Sequence, residues 1–449
     1  MKHITLIWPN IGILLKNNRE QRFSDNASME PLPLAAIAAL IPESFEVVLY
    51  DDRFDEIPYD ANTDLVCISI EIFTARRGYE VADEYRKRNV KVILGGMHAS
   101  LMPDEAKKYA DSVMIGDAET IWQQVMEDLL ADNLKEFYNG VISNQIISRF
   151  PRRSLYKKHP YLPIMLLQFG RGCPYSCSFC AISACFKHTH ITRNVHDVIA
   201  EIQHDGRKLL FFVDDNIVAN PKAAKELFKA LIPLNIKWMG QASIDMAQDD
   251  ELLELMNKSG CLGHVIGFES VVPEGLFQYN KQVNLKNFDR YQSQIKKLTH
   301  NGIQIWAAMV IGSDADNPQT IKETLDFANY HKFAFAAFNI LMPYPQTPLY
   351  NELKIQGRLL FNNEWWLHPD YRFNQAAFIP KHFTPDELSN YCQYLKNEYN
   401  SYFSIFRRVI KAASIRKNIL ASMFLLRYGY LFRTESQKKK YLKLGKSKI

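Results

Sequence analysis

The sequence predicts an α/β chain: an N-terminal doubly wound domain, a partial barrel of six β/α units, and a helical, basic C-terminal region. Three observations predict it. Short β-rich runs alternate with helical stretches along most of the 449 residues, the pattern of βαβ units around parallel sheets. A proline-rich, aperiodic stretch interrupts that alternation near residue 150. Charge is also partitioned: residues 401–449 carry 13 Lys or Arg against one acid, Glu435, a net +12 that leaves −7 on the 400 residues before it. Hydrophobic residues at 47% and charged residues at 23% are ordinary globular usage and exclude disordered, collagenous or coiled-coil chains. Seven cysteines are too few and too unevenly placed for a disulfide scaffold. No secretory leader and no uninterrupted membrane span is visible, since even the apolar run around Phe424 is broken by Arg427, so a cytoplasmic protein with reduced thiols is expected.

In the first domain, residues 1–145, strands are expected over 4–8, 46–50, 65–70, 92–94 and 112–115, with helices over 33–40, 74–88 and 118–130. Ligands of such sheets bind beyond the carboxyl ends of the strands. This sequence places Ser69, Gly95-Gly96-Met97-His98 and Gly116-Asp117-Ala118-Glu119 there. Residues 146–163 read as a linker. From 164 to 350 a second alternation has strands over 164–169, 209–213, 238–242, 264–268, 303–311 and 334–340. Intervening helical stripes include Val195, Val198, Ile199 and Ile202, and Tyr291, Ile295 and Leu298. Residues 351–449 are expected to be mostly helical. Phe403, Phe406, Ile410, Ile419, Leu420, Phe424, Leu425 and Phe432 interleave with the basic residues there, which suits either an anionic membrane surface or a helix packed on the body. Trp365 and Trp366 read as packing residues.

The loop after the first barrel strand reads Gly170-Arg171-Gly172-Cys173-Pro174-Tyr175-Ser176-Cys177-Ser178-Phe179-Cys180. Random placement gives this cysteine spacing only about 0.002 times in such a chain, so the thiols are used together. Three thiolates without a fourth ligand suit a [4Fe–4S] cluster with one open iron. A closed zinc site would need a fourth ligand from Cys185, His188 or His190, and a zinc protein binding nucleic acid through the basic tail is the rival of another class. Cys67, Cys261 and Cys392 stand alone in apolar or helical contexts and read as core.

Cys173-x3-Cys177-x2-Cys180, with Phe179 before the last cysteine, resembles the signature of the radical S-adenosylmethionine (SAM) superfamily. The resemblance implies that Cys173, Cys177 and Cys180 hold the cluster and that its open iron binds SAM. SAM is then cleaved reductively to a 5′-deoxyadenosyl radical, with Phe179 against the adenine and an electron donor of the flavodoxin or ferredoxin kind. Val213-Asp214-Asp215-Asn216, Gly240-Gln241-Ala242-Ser243 and Gly267-Phe268-Glu269-Ser270 end the second, third and fourth strands as in that family. They make Asp214, Gln241 and Glu269 cofactor-binding candidates, with a helix cap or a salt-bridged loop as the plainer role for Asp214 and Glu269. Gly312 can admit the adenine. The stretch from Pro343 to Tyr350 is similar to the family's turn after the sixth strand, with Gln346 where the pattern has Gly.

A doubly wound domain ahead of such a barrel resembles the cobalamin-binding domain of B12-dependent radical SAM enzymes, with Ser69, Gly95, Gly96, Gly116 and Glu119 in the cofactor-binding positions. No Asp-x-His-x-x-Gly is present, and the corresponding loop reads Trp8-Pro9-Asn10-Ile11-Gly12. Cobalamin would then bind without a protein imidazole beneath cobalt, and His98 reads as a hydrogen-bonding loop residue. The resemblance implies C-methylation of an unactivated carbon in a small, hydrophobic molecule such as a lipid or pigment precursor. The alternative is a radical SAM enzyme that oxidises, contracts or cyclises a ring without methylating it. No all-β RNA-binding module is visible, and nucleic acid is disfavoured as a partner.

Overall fold

The computed structural model describes residues 2–16, 19–22, 28–141, 149–416, 426–427, 429–431, 433–434 and 442–448. They form two units. The first comprises Met1–Leu162, Phe361–Phe373 and Tyr441–Ile449, and the second Pro163–Leu360 and Asn374–Lys440.

Apolar runs at the predicted positions of the first unit form a six-stranded, wholly parallel sheet. Its spatial order is Phe45–Asp51, Lys2–Trp8, Leu65–Ser69, Lys91–Gly95, Ser112–Ile115 and Phe137–Asn139. Ile4, Leu6, Leu65, Val66, Leu94 and Val113 are fully buried, as expected of strands covered on both faces. The second strand in the chain flanks the first on one side and the third flanks it on the other. The topological switch therefore lies between Lys2–Trp8 and Leu65–Ser69, and a ligand is expected beyond the strand ends there. The stretch 118–130 is not one helix: a 3₁₀ turn, Ala118–Thr120, precedes the helix Trp122–Leu130. The sixth strand, three residues long, carries no readable alternation.

The linker residues that are described pack on this unit. Tyr156 is buried, its hydroxyl donating to the Pro31 carbonyl and accepting from the Ala35 N–H, and Leu162 N–H donates to Ser28. The boundary expected at 145/146 lies outside the described residues. Trp365 and Trp366 are buried packing residues, as expected, although they belong to the first unit. His98 is buried rather than lying on an open loop: its Nε2 is 2.9 Å from Glu105 Oε1, a carboxylate that also accepts from Tyr79 (2.8 Å) and Trp366 (3.0 Å).

The chain end differs from the helical tail that was expected. Gly445–Lys448 is a strand, parallel to Gly12–Lys16, which pairs antiparallel with Arg19–Arg22. The Lys446 N–H donates to the Glu80 carboxylate at 2.9 Å. A lysine-rich run of low β-propensity is held there by ladder bonds to a partner distant in sequence, which no local pattern announces. Of the remaining tail, Tyr402–Arg416 is a helix anchored by buried Ile405 and Arg408, whose guanidinium donates to Ala334 O at 2.8 Å and Tyr399 O at 3.0 Å. Ile419, Leu420, Phe424, Leu425, Phe432 and Glu435 lie outside the described residues.

The second unit is the expected open barrel. Met165–Leu167, Leu209–Phe212, Lys237–Gln241, Cys261–Glu269, Gln304–Ile311 and Phe335–Ile340 pair in chain order, all parallel. Helices follow with polar caps: Asn194, Asn220, Asp249 and Asn317 each accept a first-turn N–H, so the chain turns at the same rim after each strand. Gln346 adopts φ 65°, the left-handed conformation that glycine supplies in the family pattern, at a cost of roughly 1–2 kcal/mol. The next residue, Thr347, still caps the helix Pro348–Ile355. Cys67, Cys261 and Cys392 are buried core residues, as expected.

Gly96 combines φ 96° with ψ −178°, a region essentially reserved for glycine, and a Cβ there would lie 2.6 Å from Ile70 O. A Cβ on Gly95 would meet only Met114, at 3.4 Å. Gly96→Ala should therefore destabilise the protein by about 1–3 kcal/mol in denaturant unfolding, and Gly95→Ala by clearly less.

Candidate functional site

The cysteine loop is built from its entry strand upward. Gly170–Gly172 pairs antiparallel with His190–Thr192. A Cβ on Gly172, whose φ is 82°, would sit 2.3 Å from Thr189 O, so glycine is required where the chain turns into Cys173. Two adjacent carboxylates fix this run. Asp214 accepts from Phe169 N–H (2.8 Å) and Gly170 N–H (2.5 Å), and Asp215 from Gly172 N–H (2.8 Å). Asp214 is fully buried with both oxygens so engaged. This corrects the reading of Asp214 as a cofactor contact: it is a positioning residue for the backbone that leads to the cysteines. Burial pushes its carboxyl up to about 7, while the two N–H donors oppose that shift.

Downstream, the loop is strapped from the side. Ser178 donates its N–H to Tyr279 O (2.9 Å) and its hydroxyl to Gln278 O (3.0 Å), and the Asn280 amide donates to Ser176 O (2.8 Å). Tyr175 reaches Asp245 Oδ2 at 2.9 Å. Phe179, half-buried, meets the Tyr279 ring edge-on at 5.2 Å.

Cys177 is buried and Cys173 and Cys180 are half-buried, and each thiol lies within electrostatic reach of another. Burial pushes the Cys177 thiol up to about 11 and raises that of Cys173, against the pull of the Lys281 ammonium. Metal uptake would therefore release protons. Among the described residues no three His, Cys, Asp or Glu converge on a point where one metal ion would sit, so the zinc alternative has no ligand set. A cubane takes each thiolate at a different iron and needs three spaced sulfurs on one loop, which this donor set fits.

The rim residues gather beside this loop. Glu269 ends its strand at φ 65°, beyond a register shift at Gly267, and its carboxylate meets Lys281 Nζ at 2.9 Å. Gln241 ends the neighbouring strand, half-buried. Gly312, at φ 110°, donates its N–H to Asp316 at 2.7 Å. Lys281 and the 278–280 strap escaped sequence reading: they lie beyond the Gly-Phe-Glu-Ser run, in no recognisable motif.

In the first unit, Ser69, Gly95 and Gly116 stand at the ends of three adjacent strands. Gly96 and Gly116 are exposed and Ser69 and Gly95 half-exposed, so this rim presents backbone and one hydroxyl rather than bulky side chains. Ser100 ties two of these ends together, donating to Gly96 O and accepting from Gly116 N–H, both at 3.0 Å. Glu119 sits in the 3₁₀ turn that follows. The bare rim beside the topological switch fits a broad, flat cofactor. His98, turned to Glu105 in the interior, does not serve as a ligand from below.

Comparison with known proteins agrees with this division. Residues 167–328 match the radical SAM superfamily and residues 25–126 the B12 binding domain. The chain is 28% identical over 417 residues to the bacteriochlorophyllide d C-12(1)-methyltransferase of Chlorobaculum tepidum, covering 90% of this chain and 88% of that one. It is 25% identical to the hopanoid C-2 methylase of Rhodopseudomonas palustris, over 79% and 69% of the two chains. Its fold matches that of the radical SAM methyltransferase TsrM from Kitasatospora setae with a TM-score of 0.66, at 15% identity over 98% of each chain. The protein is a radical SAM enzyme, a member of the radical SAM superfamily. Within that superfamily it is one that carries a B12-binding domain, and its cofactors are a [4Fe–4S] cluster, SAM and cobalamin.

Asp214→Asn keeps the shape of the side chain but turns one acceptor into a donor facing a buried N–H. The variant should lose about 1–3 kcal/mol of stability and take up less iron than wild type on reconstitution, measured by denaturant unfolding and iron per chain.

Proposed function

We propose that this enzyme methylates an unactivated carbon of a small, apolar, ring-containing molecule, using SAM and cobalamin. The observation that carries the reading is the joint presence, in one chain, of a three-thiol loop at the rim of a parallel barrel and a bare-rimmed doubly wound sheet. The methyltransferases it resembles are named for a bacteriochlorophyllide and a hopanoid, which supports an apolar substrate.

In this reading Cys173, Cys177 and Cys180 hold the cluster. Glu269, Gln241, Gly312 and Phe179 contact SAM. Ser69, Gly95, Gly96, Gly116 and Glu119 border the corrinoid. When bound, these groups supply a carbon-centred radical by one-electron reduction of SAM, and a methyl group. The chain's own contribution is positional. Asp214 and Asp215 fix the backbone that presents the thiols, and the buried apolar rings behind Phe179 keep water from the rim. A low-potential protein of the flavodoxin or ferredoxin kind supplies the electron, in a cytoplasmic setting that keeps thiols reduced.

Among the described residues no helix is long and apolar enough to cross a membrane. The helix Tyr402–Arg416 nevertheless exposes Tyr402, Phe403, Phe406 and Ile410 in a region rich in Lys and Arg. We place this face on an anionic membrane surface, from which an apolar substrate is drawn.

Anaerobically reconstituted protein with SAM and dithionite should release 5′-deoxyadenosine, and Cys177→Ala should release none. Methyl label from SAM should enter the product; 5′-deoxyadenosine release without any label transfer would favour the non-methylating alternative. Sedimentation with vesicles should show binding to phosphatidylglycerol over phosphatidylcholine, weakened by salt and by Phe403→Ser with Phe406→Ser. Equal binding to both vesicles would remove the membrane assignment.

A further inference from the structure

The interior beside the cysteine loop holds one charge pair that neither the loop hydrogen bonds nor the strand ends account for. Lys281 follows directly on the strap that grips the loop: Gln278 and Tyr279 carbonyls hold Ser178, and Asn280, at φ 50°, donates to both the carbonyl and hydroxyl oxygens of Ser176 at 2.8 and 3.0 Å. The strap thereby fixes Lys281 relative to the segment between Cys173 and Cys180. Its side chain is 16% exposed and its ammonium is paired with Glu269 at 2.9 Å. That ammonium acts electrostatically on Cys173, Cys177 and Cys180 alike. The other charge reaching Cys173 is Asp215, whose carboxylate is occupied by the Gly172 N–H and faces Arg171.

A buried ion pair is seldom favourable for stability alone, because desolvating both charges offsets their attraction. Here the pair is oriented, with the cation reaching the sulfurs and the anion at the strand end. Adding one electron to a cluster held by three thiolates adds negative charge in a region of low dielectric. A fixed cation nearby favours that reduced state, and a fixed anion disfavours it. We propose that Lys281 and Glu269 act as an opposed charge pair that sets the reduction potential of the cluster, Lys281 raising it and Glu269 lowering it. The electron comes from the external low-potential donor, and the step itself forms no bond and moves no proton. This inference rests on the reading that Cys173, Cys177 and Cys180 hold a [4Fe–4S] cluster.

The test is a redox titration of the reconstituted full-length protein, followed by electron paramagnetic resonance without SAM present, with iron and sulfide per chain measured on each sample. Lys281→Met should shift the midpoint to more negative potential, Glu269→Gln should shift it the opposite way, and Lys281→Arg should stay near wild type. General disruption of the loop would move both neutralising variants in one direction or strip the cluster, so opposite shifts at full iron content are the signature. Equal midpoints in all four proteins, or two shifts of the same sign, overturn the proposal alone. A wild-type protein that takes up no cluster overturns the cysteine assignment and the proposal with it.

Discussion

The geometry of the site depends on two neighbouring carboxylates gripping three backbone N–H groups. Asp214 and Asp215 end the second barrel strand and hold Phe169, Gly170 and Gly172, which lead out of the first strand into Cys173. A loop of alternating glycines has little rigidity of its own. Charge-assisted hydrogen bonds from a buried strand end supply it, because strand ends are the least mobile part of a parallel barrel. The register between two strands therefore decides where three sulfurs stand.

The same economy governs the other rim. In the first unit, Ser100 bridges the ends of two strands while glycines keep those ends bare. A bare rim beside a topological switch is suited to a cofactor wider than any side chain, and substitution there would add bulk where the backbones already touch. His98 illustrates the complementary choice. Buried against Glu105, Tyr79 and Trp366, it completes an interior polar network and leaves the rim without an imidazole.

Much of this was legible in the residues. Both parallel sheets announced themselves through apolar runs bounded by turn residues, and the cysteine spacing placed the metal loop before any coordinates. The residues that escaped reading did so for physical reasons. Asp214 stands in a motif that suggests ligand contact, but its oxygens are spent on backbone groups that only the folded register brings within reach. Lys281 is separated from Glu269 by a helix and a turn, so no spacing rule joins them. Gln346 shows the converse: its left-handed backbone is imposed by the turn, although its side chain alone would argue against that conformation.

The strand Gly445–Lys448 lies beside Gly12–Lys16 and is tied to Glu80 through Lys446. Its partner leaves the ribosome among the earliest residues of the chain, and the strand itself among the last. The amino-terminal half thus cannot reach its finished form during synthesis, since it waits through translation of the entire barrel for its closing ladder. Vectorial maturation, domain after domain, is unavailable to this protein, and the unpaired edge at Gly12–Lys16 is the surface a nascent-chain chaperone would have to shield in the interval.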